Sequence, residues 1–85
     1  MATVSEIKRF MLRAMAAWKN PMREPQLVSA VNNFFSPRPL LSDVNQAKRE
    51  LEEAGFIQGV ADDLDSTLVS WSLTERGQHK AQSLS

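Results

Sequence analysis

The sequence contains no cysteine, only three glycines, and no long apolar run. Without cysteine the chain has neither a disulfide framework nor a thiolate metal site, and nothing in it requires an oxidising compartment. No stretch approaches the roughly 18 apolar residues of a membrane span, and the polar start MATVSEIKRF does not fit a signal peptide. We therefore expect a cytoplasmic protein with no contact with the membrane.

Motifs for catalysis and cofactor binding are also absent from the sequence. It has no glycine-rich phosphate loop, no paired histidines and no nucleophile elbow. His79 is the single histidine, and no cysteine is available to complete a metal site with it, so we interpret it as a surface residue. The acidic stretch at 62–65 lacks the placed glycine and the following glutamate of a calcium loop. We therefore predict neither enzyme activity nor a cofactor.

Charge is divided unevenly along a chain whose formal net charge is zero. Residues 1–49 carry eight basic and three acidic side chains, a net charge of +5, whereas residues 50–85 carry two basic and seven acidic ones, a net charge of −5. If the fold keeps these parts separate, the molecule has an acidic end and a basic end, and a polyanion meets the basic end first. The alternative is two solvated surfaces without a partner.

The length of 85 residues corresponds to one domain, which buries about 60–65% of the surface of its unfolded chain. Thr3 and Glu6 form a capping-box pair at the start of a first helix over 4–19, which Pro21 ends. Leu12 lies outside the apolar stripe of this helix, so either a wide core or a partner covers it. The stripe itself consists of Ile7, Phe10, Met11, Ala14 and Trp18.

A short extended segment at 22–23 precedes a second helix. Pro25 suits the first turn of this helix, where its missing N–H is not needed, and the helix ends before Ser36. Two prolines in three residues then predict a stiff, extended connection at 36–39. The apolar stripe of the second helix consists of Leu27, Val28, Val31, Phe34 and Phe35.

A third helix is predicted over 42–54, with Ser42 as its N-cap and Gly55 as its C-terminal stop. At 100° per residue its apolar and polar side chains separate onto two faces. The predicted buried residues are Val44, Ala47, Leu51 and Ala54. The predicted outward residues are Ser42, Asn45, Gln46, Arg49, Glu52 and Glu53.

The remaining segment predicts a β-hairpin followed by a short helix. Strands at 56–61 and 67–73 flank a turn at 62–66, and Thr74 caps a last helix that carries Ala81 and Leu84. An isolated hairpin is marginally stable in water, so we expect it to pack on the helices. Ile57 and Trp71 are the expected contacts.

Two stretches, LSDVNQAKRELEEAGFI and WSLTERG, resemble the third helix and the second wing strand of the winged-helix family, a variant of the helix-turn-helix. The same features occur in MarR-like and PadR-like bacterial regulators. The likeness covers nearly the whole chain. It implies an α+β winged-helix domain over 1–85, with a three-helix core, a two-stranded β-hairpin wing and a short C-terminal helix.

The sequence departs from these regulators in two ways. MarR-like and PadR-like proteins dimerise through long additional helices, whereas this sequence ends eight residues after Gly77, so we expect a monomer or a weak homodimer. The wings of DNA-binding relatives often carry Arg or Lys, whereas this wing has the tip DDLD. Carboxylates repel phosphates, so we expect the wing to stay away from DNA.

The resemblance implies a DNA-binding regulator of bacterial or phage type that inserts the third helix into the major groove of double-stranded DNA. Asn45, Gln46 and Arg49 would then reach base edges, because Arg suits guanine and Asn or Gln suits adenine. Lys48 would contact a phosphate, and Arg38 with the Ser36 hydroxyl would hold the backbone before the helix. The complete predicted DNA-binding set is Ser36, Arg38, Ser42, Asn45, Gln46, Lys48 and Arg49.

Other interpretations of the same residues remain open. The outward face of the third helix could be an ordinary solvated surface on which Glu52 and Glu53 pair with Lys48 and Arg49, four residues earlier. The chain could instead be a protein-interaction adaptor, a role compatible with its charge division. Head-to-tail self-assembly of the oppositely charged ends is a third interpretation. An adaptor could dock a basic patch through the acidic wing residues Asp62, Asp63 and Asp65.

Overall fold

A computed structural model describes residues 3–18, 21–61, 63–64 and 68–84. In this described part of the chain, four helices and three strands confirm the α+β class and the predicted order of the helices and the hairpin. Within these ranges, no helix combines the length and the apolar character needed to cross a membrane. The elements are α1 (Val4–Trp18), β1 (Met22–Arg23), α2 (Glu24–Phe34), α3 (Leu41–Glu53), β2 (Ile57–Ala61), β3 (Val69–Leu73) and α4 (Glu75–Leu84).

The three strands form one antiparallel sheet in the order β1-β3-β2. Strands β2 and β3 are the predicted hairpin, although the turn residues Asp62, Asp65 and 66–67 lie outside the described part of the chain. β1 pairs with the other edge of β3, so that Met22 lies opposite Trp71. The sequence predicts the extended segment at 22–23 but not its place in the sheet, because two residues are too short to show a pairing register.

The core lies between the helices and one face of the sheet, and α1 contacts all three other helices and β3. Trp71 and Ile57 are buried, which confirms that the hairpin packs on the helices. Leu12 is also buried, so the core and not a partner covers it. The buried residues are Ile7, Met11, Leu12, Met15, Met22, Leu27, Val31, Val44, Ala47, Leu51, Ile57, Trp71 and Ala81.

Two aromatic residues predicted to lie in apolar stripes are instead largely exposed. Trp18 is 49% exposed and Phe34 is 64% exposed. Trp18 is the last residue of α1 and Phe34 is the last residue of α2. At these helix ends the apolar stripe extends beyond the neighbouring elements that bury the rest of it. Phe34 stacks on Phe10 at the surface, with ring centroids 4.4 Å apart.

The start of α3 differs from the prediction. The Leu40 carbonyl accepts hydrogen bonds from the backbone N–H groups of Asp43 and Val44, at 3.0 and 3.1 Å, so Leu40 is the N-cap. Ser42 lies one residue inside the helix, and its predicted capping role is wrong. The Leu40 side chain makes no capping bond. Leu40 has φ −65° and ψ 144°, so its backbone is still extended like the proline segment before it, and the helix begins only after Leu40.

The end of α3 confirms Gly55 as the stop. Gly55 has φ 80°, and its N–H donates to the Glu52 carbonyl while the Phe56 N–H donates to the Leu51 carbonyl, each at 3.0 Å. These two bonds make a Schellman motif. The predicted burial of Ala54 is wrong: it is exposed, because it follows the last helical residue and no longer points with the apolar stripe.

Thr74 connects the end of α3 to the start of α4. Its Oγ1 accepts a hydrogen bond from the Gly77 N–H at 3.1 Å, which confirms the predicted cap. The same hydroxyl donates to the Gly55 carbonyl at 2.5 Å. The polar cap of α4 therefore also fixes the chain where it leaves α3.

Candidate nucleic-acid interface

The outward face of α3 is an exposed polar surface. Val44, Ala47 and Leu51 are buried against the core, as their helical spacing predicts. The opposite side is free of the other elements. Its exposed residues are Ser42, Asn45, Gln46, Arg49, Glu52 and Glu53, which confirms the predicted division of the helix except at Ala54.

Gln46 is held by a network that also reaches α1. Its Nε2 donates to Glu50 Oε2 at 2.8 Å, and Glu50 Oε1 accepts from Lys8 Nζ at 2.9 Å. Lys8 and Glu50 are about one third exposed, at 30% and 36%. The hydrogen bond from Lys8 is the main reason that the pKa of Glu50 lies below its ordinary value, and the bond from Gln46 adds to it.

Lys48 does not extend toward solvent as its predicted phosphate contact would require. Its side chain is only 13% exposed, and its ammonium pairs with Glu24 at the start of α2. The same ammonium lies 5.2 Å from the centroid of the Trp71 ring. Partial burial lowers the pKa of Lys48, and the Glu52 carboxylate opposes that shift. Lys48 therefore joins α3 to α2 and the sheet.

The connection between α2 and α3 carries two of the predicted contact residues. Ser36 and Arg38 are both exposed and precede the N-terminus of α3. Leu40 and Leu41 follow them and are 60% and 62% exposed. The connection and the first residue of α3 together place a hydroxyl, a guanidinium and two apolar side chains at the N-terminal end of the helix.

Ion pairing makes the surface around α3 less positive than the sequence predicts. Lys8 and Lys48 each face a carboxylate, so Arg38 and Arg49 are the cations near α3 that make no ion pair with any described residue. Glu52 and Glu53 lie on the same helix and are exposed. The pair of Lys8 with Glu50 also shows that the fold does not keep the basic and acidic parts of the chain fully apart.

The tip of the wing is exposed where the structure describes it, and it carries the acidic residue Asp63. Asp63 and Leu64 lie at the tip, and Leu64 is 97% exposed. Asp62 and Asp65, which complete the predicted acidic tip, lie outside the described residues.

The described part of the chain contains no candidate metal site. No cluster of three or more His, Cys, Asp or Glu side chains could hold an ion there. His79 is exposed on α4, at the surface position assigned to it.

Periodicity alone reveals the outward face of α3, but it does not reveal the roles of Lys8 and Glu50 beside that face. The spacing of four between Gln46 and Glu50 indicates a local pair. No sequence signal links Glu50 to Lys8, which lies 42 residues away.

No protein-family model and no curated protein matches the sequence. Solved structures do match. The adhesin competence repressor of Streptococcus pyogenes is 18% identical, with a TM-score of 0.72 over 92% of this chain and 52% of that one. A MarR-like transcription regulator from Bacillus cereus is 10% identical, with a TM-score of 0.73 over 92% and 51%. Streptococcus pneumoniae FabT in complex with DNA is 20% identical, with a TM-score of 0.66 over 88% and 48%.

These similarities show that the chain has the winged-helix fold. In that fold α2 and α3 form the helix-turn-helix, and β2 and β3 form the wing. The chain spans about half the length of the structures that it matches.

Proposed function

We propose that this winged-helix domain binds double-stranded DNA as part of a transcription regulator of bacterial or phage type, with α3 in the major groove. The observation that carries the proposal is the outward face of α3, which combines exposed amide, hydroxyl and guanidinium groups on a helix whose other face is buried. Similar structures support it, because they are transcription regulators and FabT was solved with DNA.

In this proposal, the N-terminal residues of α3 lie deepest in the groove, and the long Arg49 side chain reaches the base edges from further along the helix. Asn45 suits adenine and Arg49 suits guanine, each through paired hydrogen bonds, while Ser42 can donate to or accept from either base. Arg38 and the Ser36 hydroxyl hold the sugar-phosphate backbone just before the helix. Gln46 completes the base-contacting set.

The acidic residues limit how the domain can dock. Glu52 and Glu53 lie in the last turn of α3, so a docking with the N-terminal residues deepest keeps them away from the groove floor. Asp63 at the tip of the wing would be repelled by phosphates, because neutralising phosphates supplies much of the affinity of DNA-binding proteins. The wing therefore points away from the duplex.

A fluorescence titration onto mixed-sequence duplex DNA at low and moderate salt tests the proposal. We expect Arg49→Ala to abolish binding and Arg13→Ala, which removes an exposed arginine from α1, to change it little. Thermal melting of both variants checks that they fold. A dissociation constant weaker than about 10⁻⁴ M at low salt, poorer than ordinary non-specific binding, would contradict the proposal.

A second candidate function is a protein-interaction adaptor. It is favoured by the ion pairs of Lys8 and Lys48, which leave few free cations beside α3, and by the exposed Asp63 at the wing. A basic surface of another protein would then dock on the acidic wing. Under this function, a lysine-rich peptide binds the wild type, Asp63→Asn weakens that binding, and Arg49→Ala leaves it intact.

A further inference from the structure

We propose that Glu50 and Lys8 are positioning residues that set which base Gln46 reads. The inference rests on the proposed DNA binding through α3. It assigns a role to an acidic side chain that otherwise only opposes the approach of phosphates. Glu50 fixes the amide of Gln46, and Lys8 fixes Glu50.

The chemistry of the carboxylate decides how the Gln46 amide is turned. An ionised carboxylate can only accept hydrogen bonds, so the amide nitrogen of Gln46 must face Glu50. The observed bond joins Gln46 Nε2 to Glu50 Oε2 at 2.8 Å. The amide oxygen, Oε1, and the second N–H of Nε2 are then left to contact a partner outside the protein.

Lys8 holds the carboxylate itself in place. It donates to Glu50 Oε1, while Gln46 donates to Oε2, so each carboxylate oxygen has its own donor and the carboxylate is fixed at both oxygens. Lys8 comes from α1, which is buried along its other face, so it ties the carboxylate to a helix other than α3. Its charge also offsets the negative charge of Glu50 close to the proposed DNA surface.

An amide in this orientation distinguishes between bases. Adenine presents its N6 amino group as a donor and N7 as an acceptor in the major groove, which match the Oε1 and the free N–H of Gln46. Guanine presents two acceptors, O6 and N7, and would meet the amide oxygen with a repulsive contact. A free glutamine could rotate to suit either base, whereas Gln46 paired with Glu50 favours adenine.

Glu53 provides a matched control. It carries the same charge on the same helix, is exposed, and makes no hydrogen bond or ion pair with the described residues. Replacing either glutamate removes one negative charge near the DNA, so both changes raise general affinity. Only the loss of Glu50 frees the Gln46 amide.

The test is selection from a random duplex library with wild type, Glu50→Ala and Glu53→Ala. We expect wild type to prefer adenine at one position by about tenfold. Glu50→Ala should lose that preference without losing affinity, and Glu53→Ala should keep it. Gln46→Ala should lose preference at the same position, with no further loss when combined with Glu50→Ala.

Lys8→Met is a second variant that leaves Glu50 in place. We expect it to weaken the adenine preference in part and to raise the pKa of Glu50 toward its ordinary value of 4.5, measured by carboxyl NMR in the absence of DNA. If the ion pair of Lys8 with Glu50 only joins α1 to α3, then Glu50→Ala and Lys8→Met would both lower the melting temperature and leave the base preference unchanged.

The outcomes separate this inference from the function on which it rests. A wild-type chain that binds no duplex overturns the proposed function and the inference with it. A wild-type chain that selects a motif overturns the inference alone if the adenine preference lost on Gln46→Ala survives Glu50→Ala.

Discussion

Gly77 and Thr74, at the start of α4, are each constrained by neighbouring backbone atoms, Gly77 through a close approach and Thr74 through hydrogen bonds. A Cβ on Gly77 would lie 1.9 Å from the Phe56 carbonyl oxygen and 3.1 Å from Leu73 Cδ2. A backbone oxygen cannot move aside cheaply, so this position excludes every side chain. Thr74 is constrained through its hydroxyl, which donates to one backbone group and accepts from another.

Gly77→Ala should therefore destabilise the fold, although alanine favours helix. The gain in helix propensity is about 1 kcal/mol, and overpacking against backbone costs about 3 kcal/mol, so the net loss is about 2 kcal/mol. Urea unfolding followed by circular dichroism measures it. Gln78→Ala, at the next, exposed position, is the control and should change stability by no more than about 0.5 kcal/mol. Equal stability of Gly77→Ala and wild type would contradict the close approach.

Thr74→Ala should cost about 1 kcal/mol, the usual loss when a capping hydroxyl is removed. Thr74→Ser keeps the hydroxyl and should retain most of the stability. The two variants are compared by the same urea unfolding. If serine and alanine behave alike, the cap does not act through its hydroxyl.

At the scale of elements, α3 is held by an ion pair on each flank. Glu50 pairs with Lys8 of α1 on one side, and Lys48 pairs with Glu24 of α2 on the other. Lys48 also lies over the Trp71 ring of β3. These contacts fix the direction of the helix relative to the rest of the domain, and they withdraw two lysines from any partner.

Lys48→Met tests the role of this lysine as an internal link. Methionine keeps an unbranched apolar chain beside Trp71 and removes the charge. We expect a change in stability within about 1 kcal/mol, because Glu24 is half exposed. The salt dependence of DNA binding should stay the same. A salt slope that falls in magnitude by about 1 would mean instead that Lys48 contacts a phosphate.

At the scale of the whole molecule, the salt dependence of the proposed DNA binding is set by the number of cations that can still reach DNA. The net charge of zero does not determine it, because salt dependence follows the phosphates neutralised at the interface. Lys8 and Lys48 are engaged in ion pairs, whereas Arg38 just before α3 and Arg49 on α3 make no ion pair with any described residue. The proposed DNA binding should therefore depend only weakly on salt.

With only two unpaired arginines at the proposed interface, the slope of log K against log salt concentration should be no steeper than about −2. Arg38→Ala should reduce its magnitude by about 1. Asp63→Asn should leave the slope unchanged if the wing points away from the duplex. Titrations at four or more salt concentrations measure all three slopes. A marked gain in affinity on Asp63→Asn would show that the wing lies close to phosphates.

The sequence by itself determined the secondary structure and the outward face of α3. The Thr3 and Glu6 box, the Gly55 stop and the Thr74 cap act over about three residues, so they can be read without the fold. Helical periodicity is also a local signal, and it separates Asn45 and Arg49 from the buried side of α3. The errors fall at element ends such as Ser42, Ala54 and Phe34, where local signals stop and the neighbouring layer decides exposure.

Only the tertiary structure decided which charged groups are free. Lys48 pairs with Glu24, 24 residues away, and Lys8 pairs with Glu50, 42 residues away. The distance between the two partners of each pair depends on how the helices cross. That crossing is set by the packing of the whole core, and no short stretch of sequence determines it. The sequence therefore specified which side chains point outward, whereas the fold specified which of them another molecule can still bind.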